Sequence, residues 1–128
     1  MKFVSIDKGR FPVVVVKMHH STPSQEEFDY YLAQMEKIYS DHSGLIVIYD
    51  TEKLRYLESK YRIQLGKWLK TNQELISHAV KGAGYVMNNP IASMMLKGIF
   101  MIQTPKWPHK VLPNFEAALH WAENFQKQ

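Results

Sequence analysis

Six histidines, twelve carboxylates and no cysteine set the chemistry open to this chain. Without cysteine, disulfides and thiolate nucleophiles are excluded, and a zinc site would need a His/carboxylate set assembled by the fold. His19 and His20 are adjacent in a β-branched run, so they point to opposite faces of a strand. His42, His78, His109 and His120 fall in separate elements, and no H-x-x-x-H pair exists. No metal and no cofactor is expected. No G-x-S-x-G, P-loop or G-x-G-x-x-G occurs; the Gly82/Gly84 pair of "KGAGYV" opens a strand, whereas phosphate loops open helices. Those glycines suit a bend or close packing. Asp50 ends a strand, where sites of α/β sheets lie, but a lone Asp there commonly caps a loop through its own backbone. With no nucleophile–base pair in view, an enzyme is not expected. Lys106, Trp107, His109 and Lys110 interleave cations with an aromatic, as stacking platforms for nucleic acid do. Pro105 and Pro108 make the same loop a rigid connector, and no nucleic-acid partner is expected.

The richest stretch is residues 45–70, "LIVIYDTEKLRYLESKYRIQLGKWLK". Between positions 53 and 70, six cations (Lys53, Arg55, Lys60, Arg62, Lys67, Lys70) face the single carboxylate Glu58. Such a cluster at a helix N-terminus fits an acidic protein partner or a phosphate, and fits a plain solvated face as well. Ser59 opens the helix. On one reading it is an N-cap, with Arg62 rather than an acid at the third helical position.

These residues must be positioned by alternating strands and helices. "KFVSI" reads as a first strand, closed by the turn "DKGRFP". Val13 to His20 reads as a second strand, and the two can pair as one antiparallel edge. Thr22 or Ser24 can cap the first helix, with Pro23 in its first turn and Glu26 and Glu27 at its positive end. Phe28, Tyr31, Leu32, Met35, Ile38 and Tyr39 recur at helical spacing, and "DHSG" ends the helix. "LIVIY" is a continuous apolar strand, as in a sheet covered on both faces. The second helix runs from near Ser59 to His78. Tyr61, Leu65, Trp68, Leu69, Leu75 and Ile76 form its sheet-facing stripe, and Ser59, Ile63, Gly66 and Lys70 line the opposite side, expected to face outward. "KGAGYVMN" is the next strand. Asn89 caps a third helix with Pro90 in its first turn, "TPKWPHK" is a loop, "KVLP" a short strand, and Asn114 starts a fourth helix with Phe115, Ala118, Leu119, Ala122 and Phe125 on one face. The order predicts a single α/β domain over residues 1–128: an open, mostly parallel sheet of four to five strands flanked by four helices.

The third helix, "PIASMMLKGIFMI", is apolar nearly all round. Ile91, Met95, Ile99 and Ile102 are expected to face the sheet, with Leu96 and Phe100 on one flank and Met94 and Met101 on the other. Three arrangements account for this: a core helix lidded by Trp107, a dimer or partner surface rich in Met and aromatics, or a pocket for an apolar ligand.

The register "YDTEKLRYLES" resembles the segment of STAS domains (sulfate transporters and anti-sigma-factor antagonists) in which a strand ends in Asp and a short loop leads to an Asp-Ser opening the next helix. The element order matches over nearly the whole chain, and "NFEAALHWAENF" is similar to the last helix of the SpoIIAA-like, or STAS/SEC14-like, branch. The resemblance implies a bacterial, non-enzymatic switch or scaffold in which Ser59 is the position phosphorylated by a partner kinase. Glu58 stands in place of the family's Asp, and Lys60 and Tyr61 replace its small Ser and Gly. The SEC14-like label implies a lipid-like ligand beneath the third helix. The expectation is therefore a regulatory module that binds another, acidic, protein through Ser59, Ile63, Gly66, Lys67 and Lys70. It is expected to form a homodimer, with Met94, Leu96, Phe100, Met101 and Trp107 as dimer surface or apolar pocket. The start "MKFVSIDKGR" lacks the apolar region of a signal peptide, and no apolar run is long enough to span a membrane, so a cytoplasmic protein without a membrane span is expected.

Overall fold

The computed structural model describes residues 2–127, which form five strands and four helices in the order β1 Val4–Arg10, β2 Val13–Met18, α1 Gln25–Asp41, β3 Leu45–Asp50, α2 Ser59–Ala79, β4 Val80–Val86, α3 Pro90–Ile102, β5 His109–Leu112 and α4 Phe115–Gln126. The sheet order is β1-β2-β3-β4-β5. β1 pairs antiparallel with β2, and every later pairing is parallel. The antiparallel edge, the parallel remainder and the four helices are those expected from the sequence.

Local chemistry sets the boundaries. Ser24 caps α1 through a reciprocal capping box with Glu27: Ser24 Oγ accepts from the Glu27 amide, and the Glu27 carboxylate accepts from the Ser24 amide. Those hydrogen bonds hold the Glu27 carboxyl below its usual range. Pro23 therefore lies before the cap, not in the first turn. It is buried, and its carbonyl accepts from the Tyr61 hydroxyl at 3.0 Å. α1 ends at Asp41, and beyond it Gly44, with a φ of +72°, turns the chain toward β3 at no side-chain cost. Asn89 and Asn114 cap α3 and α4 through their side chains. β1 is longer than expected. Its register shifts between Asp7 and Arg10, where the Asp7 carboxylate takes the Gly9 amide, so "DKGR" continues the strand as a bulge and only Phe11 and Pro12 turn.

The layers follow from handedness. Parallel crossovers are right-handed, and strands added in one direction place every crossover helix on the same face. α1, α2 and α3 accordingly share one core with the front of the sheet, where Phe28, Met35, Tyr39, Tyr61 and Ile76 are buried beside Val14, Val16 and Val47. α4 crosses to the back, where Ala118 and Ala122 lie on Ile46, Ile48, Val86 and Leu112. Small residues on both sides bring α4 close: a Cβ at Gly82 would stand 2.7 Å from the Phe125 ring, and one at Gly84 3.0 Å from the Trp121 ring. The glycine pair is a packing device, as its sequence context suggested.

Candidate functional site

α2 starts without a side-chain cap. Its N-cap is Glu58, whose carboxylate makes no capping bond, and its first turn contains no acid. Ser59 is thus the first helical residue and not the cap. Its exposed hydroxyl accepts from Arg62 Nη2 at 2.8 Å. The same guanidinium donates to the Tyr56 hydroxyl at 3.1 Å and, through Nε, to the Leu57 carbonyl at 2.8 Å, and it lies over the Tyr56 ring. Arg62 therefore folds the 51–58 loop onto the head of α2. Asp50 is buried, and its carboxylate takes the Glu52 amide at 3.2 Å, which makes it a loop cap. Lys106 pairs with Glu74, and among the described residues no carboxylate lies within 4 Å of Lys53, Arg55, Lys60, Arg62, Lys67 or Lys70. The basic character of this surface is uncompensated.

The outward row on α2 is corrected at one position. Ser59, Lys67 and Lys70 are exposed, and Ile63 is 48% exposed, but Gly66 is buried. A Cβ on Gly66 would lie 2.5 Å from Ile102 Cδ1 and 2.8 Å from Ile102 Cβ. The mid-helix glycine is the contact that lets α3 close on α2. The face of α3 shifts accordingly. Ala92, Met95 and Ile99 are buried, whereas Ile91 and Ile102, expected against the sheet, are 51% and 37% exposed. Met94 and Met101 are the most exposed apolar side chains on the helix. Ile102 thus closes on α2 at Gly66, one turn from Ile63, while Met94 and Met101 are exposed on the same helix as Ile102.

The remaining residues of the α3 set fall elsewhere. Leu96, Phe100 and Trp107 line an apolar cavity of about 100 Å³ between the front of the sheet, α2 and α3. Trp107 is buried, which fits the lid role and removes it from any surface. Arg62 and the aromatic rings of Tyr39, Tyr49, Tyr85 and Trp68 also line the cavity. Tyr49 and Tyr85, register partners on β3 and β4, stack at 5.2 Å and 8°. The Tyr39 and Tyr49 hydroxyls hydrogen-bond each other. Burial holds the hydroxyls of Tyr31, Tyr39, Tyr49 and Tyr85 protonated far above the usual tyrosine range. No local sequence signal marks this cluster, because its rings come from α1, β3, α2, β4 and the 103–108 loop.

One nucleophile–base contact was missed from sequence: Ser5 Oγ and His19 Nε2 are 2.8 Å apart. The antiparallel β1–β2 pairing brings them together. Desolvation, then Lys17, Lys53, Lys2 and His20, lower the pKa of His19, so the imidazolium that proton abstraction would create is disfavoured. No carboxylate hydrogen bond to His19 is present among the described residues, and the pair reads as a tie across the sheet edge. Among the described residues no three His, Asp or Glu side chains gather as a metal set, and no helix is long and apolar enough to cross a membrane.

Five strands with one antiparallel edge, three helices on one face and a fourth behind constitute a SpoIIAA-like fold. A DUF3478-family protein with a SpoIIAA-like fold from Shewanella loihica PV-4 superposes with a TM-score of 0.62 at 12% identity, over 92% of this chain and 90% of that one. A chain in the crystal structure of the diguanylate cyclase SiaD in complex with its activator SiaC, from Pseudomonas aeruginosa, superposes with a TM-score of 0.60 at 14% identity, over 84% of this chain and 89% of that one. No family model and no curated protein matches the sequence.

Proposed function

We propose that this protein is a non-enzymatic regulatory module that acts by binding another protein through the α2–α3 seam. The observations that carry the reading are the exposed apolar side chains Ile63, Ile102, Met94 and Met101 on α2 and α3, and a basic α2 whose cations have no carboxylate within 4 Å among the described residues. An apolar centre with a charged rim is the anatomy of a protein interface, and the charge selects an acidic partner. A chain of this fold in a complex between an enzyme and its activator supports contact as the mode of action. Ser59 is the proposed modification site. A phosphoryl group on its exposed hydroxyl would sit at the positive end of α2 and meet Arg62, which already reaches that oxygen. The homodimer expected through α3 draws on Met94 and Met101 of the same seam, so self-association and partner binding compete.

The test is capture of partners by the tagged protein in lysate of its own host. Ile63→Asp places a charge in the seam without touching the core and should abolish capture while leaving the unfolding midpoint within about 0.5 kcal/mol of the parent, as for other surface changes. Capture that survives Ile63→Asp and Met94→Glu together would show that the seam is the wrong face. Sedimentation of the same variants reports whether the seam also holds a dimer.

A further inference from the structure

The protein-contact reading leaves the cavity beneath α3 without a role. We infer that this cavity is a binding site for a small amphipathic monocarboxylate, its carboxylate on Arg62 and its apolar body among Leu65, Leu96 and Phe100. Three observations converge. The cavity is walled by apolar side chains, and dry apolar cavities take apolar groups: an engineered one of about 150 Å³ accepts benzene. A volume of about 100 Å³ thus suits a chain of roughly four to six carbons. The cavity is also partly open and not sealed in the core, and Leu54, Leu65, Leu96 and Phe100 in its lining are half-buried. Finally, the one charged residue lining it is Arg62, whose partners are all neutral oxygens, those of Leu57, Tyr56 and Ser59. A guanidinium exchanges neutral acceptors for a carboxylate with gain, because charge-assisted bonds are shorter and about twice as strong. A neutral ligand would leave that charge unused, and a dianion would bring a second charge to an apolar mouth.

The site reports on itself. Trp68 and Trp107 line the cavity, while Trp121 packs on the opposite face of the sheet, so Trp121→Phe leaves emission from the cavity walls. In that background, butyrate, valerate and hexanoate should shift the emission saturably. Each should bind about tenfold more tightly than the alcohol of equal length, the increment of one charge-assisted bond. Arg62→Gln should abolish the preference for acid over alcohol. Leu96→Phe should weaken acids and alcohols alike by narrowing the mouth. The carboxylate takes Arg62 from Ser59, so the acids, and not the alcohols, should move the Ser59 amide resonance. No saturable change with any acid would overturn the site. Equal binding of acid and alcohol by the unmodified chain would overturn the role of Arg62. Neither result bears on partner capture, which Ile63→Asp tests separately.

Discussion

Gly66→Ala and Gly98→Ala make the same chemical change on neighbouring helices and should differ in stability. Alanine in a helix interior is better than glycine by about 1 kcal/mol, from lower backbone entropy in the unfolded chain. Gly98 is exposed, and a Cβ there meets nothing within 4 Å, so Gly98→Ala should stabilise by about 0.5–1 kcal/mol. At Gly66 the new methyl would stand 2.5 Å from Ile102 Cδ1 and 2.8 Å from Ile102 Cβ. Rotating Ile102 clears the first atom but not the second, which is fixed to the α3 backbone, so α3 itself must retreat. Overpacking of that kind costs about 1–3 kcal/mol, which offsets the helical gain and leaves Gly66→Ala between neutral and about 2 kcal/mol destabilising. The gap between the variants should therefore be about 1–3 kcal/mol, several degrees in melting temperature. Urea unfolding of both variants beside the parent measures it, with equal m-values as the check on two-state behaviour. If Gly66→Ala stabilises as much as Gly98→Ala, α2 and α3 do not touch at Ile102, and the seam built on that contact fails with it.

Two further outcomes follow from the titrating groups. The folded pKa of His19 lies below 6.5, so between those values the unfolded chain binds more protons and stability falls as pH drops from about 6.5; His19→Asn should flatten this acid slope of the urea midpoint, and an unchanged slope would refute it. Tyr31, Tyr39, Tyr49 and Tyr85 should stay protonated at about pH 11, where exposed tyrosines ionise, so absorbance at the phenolate band should stop short of all seven tyrosines until circular dichroism reports unfolding. Reversible ionisation of all seven in the folded protein would contradict their burial.

The architecture was legible in the sequence because its determinants are local. The β-branched run at Val13–Val16 and the continuous apolar run at Leu45–Ile48 could only be strands of a covered sheet. Their alternation with helical stripes pointed to parallel pairing, whereas the strand order, and with it the face that each crossover helix takes, came from the structure. Asn89 and Asn114 announced two helix starts, because a side-chain cap is read within three residues. The resemblance carried by "YDTEKLRYLES" pointed to the fold that the solved structures share.

Contacts between elements were decided only in three dimensions. Gly66 looked like an anomaly on an outward face, since nothing within one turn of it announces Ile102, which lies 36 residues further on. The tilt of α3, which exposes Ile91 and buries Ala92, follows from that contact and not from its own periodicity, which is nearly uniform in apolar character. Ser59 is the first helical residue and not the cap, and Arg62 ties the stretch before it to the head of α2 through side-chain contacts within six residues. The α3 and Trp107 walls of the cavity were anticipated from the nearly all-round apolar character of α3, but the tyrosines that α1, β3 and β4 bring to it had no signature along the chain. Sequence determined which segments become strands and helices, since backbone propensity and amphipathic period act over a few residues. The packing of those elements determined the seam and the cavity, since side chains far apart in sequence meet only when the sheet has brought them together.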